Sequence, residues 1–124
     1  EDVEEFYGNL ITIEAKSTEG SSLISGALIN GQVHIVKLGS HLVDIVPSGK
    51  PWIMINHTDR PGMIGHIGTV TGENDINIAS MQVSRENARG PALTVLGLDQ
   101  EVDPEQLESI INIDDVNRVR VAHI

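Results

Sequence analysis

The chain of 124 residues has no cysteine and only one phenylalanine, one tyrosine and one tryptophan. Without thiols there can be no disulfide, no thiol catalysis and no thiolate metal site, a pattern that fits a reducing cytoplasm. With so few aromatics, the core has to be packed from aliphatic side chains. Positive charge is also scarce: 8 Lys and Arg stand against 18 Asp and Glu, for a formal net charge of −10. The basic residues are scattered, which argues against a nucleic-acid backbone or an anionic membrane as partner. No apolar run approaches the roughly 20 residues of a membrane-spanning helix, and no signal-peptide pattern opens the chain. A soluble, cytoplasmic protein is expected. Glu1 is not an initiator methionine, and the acidic opening runs straight into an apolar stretch, as in a piece of a longer chain.

What is present divides into two segments. Leu10 to Ile13, Leu23 to Ile29, Val33 to Leu38 and Leu42 to Val46 are short β-rich runs. Turn signals at Thr18-Glu19-Gly20-Ser21, Asn30-Gly31 and Gly39-Ser40 separate them, and Asn-Gly between apolar runs is a hairpin signature. No amphipathic helix is available to cover this small antiparallel sheet, so its partner is expected in missing sequence or in another subunit. Pro47-Ser48-Gly49-Lys50-Pro51 reads as a linker. It separates a β-rich partial domain, 1–49, from a second domain, 50–124.

The second domain reads as strand 52–58, helix 61–74, strand 77–85, strand 91–99, helix 103–112 and strand 116–123. The first helix places Met63, Ile64, Ile67 and Val70 at helical spacing for burial. Gly62, Gly65, Gly68 and Gly72 recur along it, and interior glycines at about 1 kcal/mol each imply close approach of a sheet or another subunit. Asp103-Pro104-Glu105-Gln106 is a capping box with proline at the first helical position, followed by an inward stripe of Leu107, Ile110 and Ile111. Val119 and Val121 alternate with Arg118 and Arg120 in the last strand. Two helices on one side of a four-stranded antiparallel sheet make an α+β, ferredoxin-like βαββαβ domain.

The handover from the first strand to the first helix, Ile55-Asn56-His57-Thr58-Asp59-Arg60-Pro61-Gly62-Met63-Ile64, carries the chemistry. A free amino acid presents a carboxylate, an ammonium group and often a polar side chain. The N–H groups of Gly62, Met63 and Ile64 in the first helical turn would favour the anion. Asp59 would pair with the ammonium, His57 would hydrogen-bond a hydroxyl or carboxylate, and Asn77 at the next strand would return to the same mouth. Arg60 is an alternative anion binder. The competing structural readings are that Asp59 caps the helix, His57 is a structural or surface histidine, Asn77 forms a turn and Arg60 is ion-paired at the surface.

Other chemistries find no support. The five histidines are dispersed without metal-site spacing, so no metal is expected. Gly62-Met63-Ile64-Gly65-His66-Ile67-Gly68 has neither the G-x-G-x-x-G order nor a P-loop lysine, so no nucleotide cofactor is expected either. No serine sits in a nucleophile-elbow context, and no catalytic residue is assigned. RNA binding on a ferredoxin-like sheet needs stacking aromatics, and Phe6, Tyr7 and Trp52 are the only three.

The run Asp59-Arg60-Pro61-Gly62-Met63-Ile64-Gly65, with Asn77-Ile78-Ala79-Ser80-Met81-Gln82-Val83-Ser84-Arg85, resembles the ACT domain, a module that binds small effectors, typically amino acids. Together with Val33-His34-Ile35-Val36 and Val43-Asp44-Ile45-Val46-Pro47-Ser48-Gly49, it is similar to the C-terminal region of the D-3-phosphoglycerate dehydrogenase family, in its long bacterial form. That resemblance implies the end of an intervening domain followed by an ACT domain. It further implies NAD for the parent enzyme, L-serine or another small amino acid bound between paired ACT domains, and a homo-oligomer. By position it carries His57, Asp59 and Asn77 over as effector residues, His57 at a variable place. Two alternatives are the regulatory part of an iron–sulfur L-serine dehydratase and a ligand-free oligomerisation module.

Overall fold

Alternating apolar residues at the front of the chain form four strands: β1 (Leu10–Ser17), β2 (Gly20–Ile29), β3 (Gln32–Leu38) and β4 (His41–Ile45). They pair in chain order as an antiparallel meander. The computed structural model describes residues 10–17 and 20–124, which fall into two units dividing between Ser48 and Gly49. The turn expected at Thr18-Glu19-Gly20-Ser21 includes residues outside those described. Asn30 and Gly31, at φ 52° and 78°, make the tight β2–β3 turn, with both central residues in the left-handed region that Asn-Gly favours. One face of this sheet presents Ile11, Leu28 and Val33 to solvent. With Ile24, Ile35 and Pro47 they line an apolar groove of about 500 Å³.

The second unit contains β5 (Pro51–Thr58), α1 (Met63–Glu73), β6 (Ile78–Arg85), β7 (Pro91–Leu98), α2 (Pro104–Ile111) and β8 (Val116–His123). Its sheet runs β6-β7-β5-β8, antiparallel between neighbours. This is the ferredoxin-like arrangement the sequence pattern predicts. Ile53 and Ile55 on β5, with Leu96 and Leu98 on β7, turn one sheet face toward Met63 and Ile67 of α1 and Ile110 of α2. This cluster is built from isoleucine, leucine and methionine, each buried side chain contributing about 1.5–3 kcal/mol.

The sidedness of both helices differs from expectation by one residue. Met63, Ile67 and Thr71 are the buried positions of α1, and Ile64 is exposed. In α2, Ile110 is buried and Leu107 partly so, while Ile111 faces solvent and Ile113 beyond the helix fills the core instead. Each misjudged isoleucine directly follows a buried residue, a rotation of about 100° that carries it off the inward stripe. The capping box forms as read: the Gln106 N–H donates to Asp103 Oδ1 at 2.8 Å, and the Asp103 N–H donates to Gln106 Oε1 at 2.9 Å. Gln106 Nε2 also donates to the Asn74 carbonyl at 2.9 Å, fastening the start of α2 to the end of α1.

The glycines separate into two kinds. Gly65, Gly68 and Gly72 have nothing within 4 Å of where a Cβ would lie, so of the sheet or subunit contact expected for them, the sheet contact is absent among the described residues. Gly97 is the crowded one. A Cβ there would lie 2.5 Å from Ser80 Oγ and 3.0 Å from the Trp52 ring, which shares its sheet face. Gly97→Ala is therefore expected to destabilise the domain by about 1–3 kcal/mol through overpacking. Urea unfolding followed by Trp52 fluorescence measures it, and an unchanged midpoint would contradict the contact.

Candidate functional site

Between β5 and α1 the chain makes one sharp turn. Arg60-Pro61-Gly62-Met63 closes through the Met63 N–H donating to the Arg60 carbonyl at 3.2 Å, with Gly62 at φ 86°, ψ −12°. These are the dihedrals of the third position of a type II turn, where glycine is favoured and proline commonly precedes it. Pro61 thus lies in the turn before the helix rather than at its first residue. The turn already uses the Met63 N–H, so of the three predicted anion-binding donors Gly62 and Ile64 remain.

His57 departs from its predicted role. It continues the alternation of Ile53 and Ile55, so its ring enters the face that the helices cover and is 1% exposed. Nδ1–H donates to the Thr58 carbonyl at 3.0 Å, and Nε2 lies 2.7 Å from Thr94 Oγ1. Both ring nitrogens are engaged inside the domain. The period-two pattern of β5 carried this signal.

Asp59 neither caps α1 nor stands alone. Its Oδ2 accepts from Arg85 Nη1 at 2.8 Å and from the Arg89 N–H at 3.0 Å, and its own N–H donates to the Gly90 carbonyl at 2.8 Å. The β6–β7 hairpin therefore folds back onto the end of β5. The Arg89 N–H and then Arg85 hold the Asp59 carboxyl below its ordinary 3.8, against a smaller opposing desolvation. A depressed folded value means that these contacts contribute above the unfolded value and are lost as pH falls through the folded one, below 3.8. An NMR titration of Asp59 is expected to show its midpoint below 3.8, and a midpoint above it would contradict the pairing.

Arg60, the alternative anion binder, is committed elsewhere: Nε donates to Asp115 Oδ2 at 2.6 Å and Nη2 to the Asp114 carbonyl at 3.3 Å. Arg85 is the residue that sequence reasoning passed over. It sits 26 positions from Asp59, at the last position of β6.

Asn77 lies at the other end of the sheet. It precedes Ile78, which pairs with Leu98, whereas Arg85 beside Asp59 pairs with Ala92. Seven residues of strand separate the two levels, roughly 23 Å at the usual rise. The expected return to the same mouth fails because α1 carries the chain back along the sheet before β6 starts. The Asn77 side chain is exposed, and its Nδ2 donates to Asp99 Oδ2 at 2.9 Å. Among the described residues no group of three or more His, Asp or Glu side chains is placed to hold a metal ion, and no helix is long and apolar enough to cross a membrane.

Comparison with known proteins decides where this arrangement belongs. No protein-family model matches the chain. The D-3-phosphoglycerate dehydrogenase of Methanocaldococcus jannaschii is 40% identical over 121 residues, 98% of this chain and 23% of that protein. The chain is homologous to part of D-3-phosphoglycerate dehydrogenase. The enzymes of that name from Bacillus subtilis, 29% identical over 116 residues, and Archaeoglobus fulgidus, 33% over 114, match 93% and 90% of the chain. The chain spans less than a quarter of the length of these curated relatives, at 23%, 22% and 21%. Similarity to D-3-phosphoglycerate dehydrogenase runs through both structural units, since the matched residues cover nearly the whole chain.

Proposed function

We propose that this chain is a non-catalytic, regulatory C-terminal part of a D-3-phosphoglycerate dehydrogenase, and that its second unit binds a small amino acid, L-serine first, between two copies of itself. The observation that carries the reading is the Asp59 carboxylate, fixed through one oxygen beside the start of α1. Its other oxygen has no partner among the described residues. That oxygen suits an ammonium group, and the Gly62 and Ile64 N–H groups at the helix start suit a carboxylate.

Asn77 enters this site only from a second copy. β6 is an edge strand, and two such edges running antiparallel about a two-fold axis would bring Asn77 of each chain to the Asp59 end of the other. The exposed stripe of Ile64, Gly65, Gly68 and Gly72 on α1 leaves room for a partner backbone. Serine biosynthesis, the NAD-dependent step and a cytoplasmic setting belong in this reading to the whole enzyme, and NAD binding to its other domains. Inhibition would then follow from the effector stabilising an inactive arrangement more than an active one.

Calorimetric titration of the 124-residue chain with L-serine tests the reading. Saturable heat is expected from the wild-type chain, and none from Asn77→Ala at the same concentrations. A verified oligomer that gives no heat and no thermal shift with L-serine or related amino acids would leave only the assembly role.

A further inference from the structure

We infer that Arg85 reads the carboxylate of the bound amino acid, making the Asp59–Arg85 pair a two-pole clamp for a zwitterion. This rests on the amino-acid reading of the site and adds a residue and a selectivity to it. Of the two arginines at this end of the sheet whose side-chain partners are defined, Arg60 is spent on Asp115 and the Asp114 carbonyl. Arg85 gives Asp59 only Nη1, its side chain is 50% exposed, and its Nε and Nη2 have no partner among the described residues.

Strand alternation sets the side it faces. Met81 on β6 packs into the core beneath the helices, and Val83 and Arg85 follow it at period two, so the guanidinium leaves the sheet on the side where α1 begins. The α1 start is a limited anion site by itself, because the Met63 N–H is taken by the Arg60 carbonyl. A guanidinium beside it supplies the planar donor fork that matches a carboxylate. Asp59 Oδ2 and Arg85 Nη1 are 2.8 Å apart, so the carboxylate and the guanidinium stand side by side with their outer atoms turned away from each other. The ammonium can therefore sit on Asp59 Oδ1 while the carboxylate lies on the outer edge of Arg85, with the ion pair still made.

The test compares L-serine with ethanolamine, which keeps the ammonium and the hydroxyl but lacks the carboxylate. Titrations of the wild-type chain, Arg85→Gln and Arg85→Lys are read side by side, with circular dichroism to verify folding. Arg85→Gln is expected to weaken L-serine by about tenfold or more, the scale of one charged hydrogen bond, while leaving ethanolamine unchanged. Arg85→Lys, which keeps the charge without the fork, should recover part of the L-serine affinity. Equal weakening of both ligands would overturn the inference, because Arg85 would then only position Asp59. Undiminished L-serine binding in Arg85→Gln would overturn it too, while leaving the amino-acid reading intact. Failure of the wild-type chain to bind any amino acid would remove both.

Discussion

Replacing Asp59 with alanine is expected to reduce L-serine affinity by tenfold or more while moving the thermal midpoint of the chain little. The two effects part because they draw on different physics. In the folded chain the carboxylate is solvent-accessible, and a surface ion pair such as Asp59–Arg85 contributes little to stability. Toward a ligand it is a charged acceptor beside the start of α1, and loss of a charged hydrogen-bond partner weakens binding by that order. Asp59→Asn keeps the shape and removes the charge, and should lose nearly as much. Calorimetry with L-serine and a parallel melting curve measure both quantities. A large loss of stability with binding preserved would make Asp59 a tether for the β6–β7 hairpin and nothing more.

The opposite pattern is expected at His57. Its ring is buried, with one nitrogen on the Thr58 carbonyl and the other against Thr94 Oγ1. His57→Ala leaves a cavity among Ile55, Thr94 and their neighbours and strands a buried hydroxyl, at a cost of about 3 kcal/mol. Urea unfolding measures it. His57→Gln, which offers a shorter side chain with both a donor and an acceptor, should recover part of the loss. If His57 reached the effector instead, its removal would abolish L-serine binding with the unfolding midpoint unchanged.

These two residues mark where sequence was legible and where it was not. The order of elements in the second unit, its fold and the Asp103–Gln106 box could be read because each is encoded locally, in periodicity and capping residues a few positions apart. The orientation of His57 was equally local: it follows Ile53 and Ile55 at period two, and that alternation outweighs its polar character. Pro61-Gly62 carried the turn signal, since a proline followed by glycine favours the type II geometry found there.

Pairings that depend on topology were not legible. Arg85 meets Asp59 because the β6–β7 hairpin folds back onto the end of β5, and no spacing over 26 residues announces it. Asn77 is near Asp59 in sequence yet far in space, because the α1 crossover returns the chain to the sheet end where β5 starts. The glycines of α1 were legible as unusual but not as outward-facing. Only the empty space beside Gly65, Gly68 and Gly72 shows that they have no close neighbour among the described residues.

That separation of Asp59 from Asn77 turns the account into a statement about two chains, and subunit mixing tests it most directly. Asp59→Ala and Asn77→Ala chains, each weakened for L-serine alone, are mixed, exchanged and titrated. A shared site predicts that binding returns in the mixture at wild-type affinity, because a mixed pair holds one site with both Asp59 and Asn77 intact. If exchange is verified and the mixture binds no better than its parts, the two residues do not meet across a pair, and the central claim is wrong.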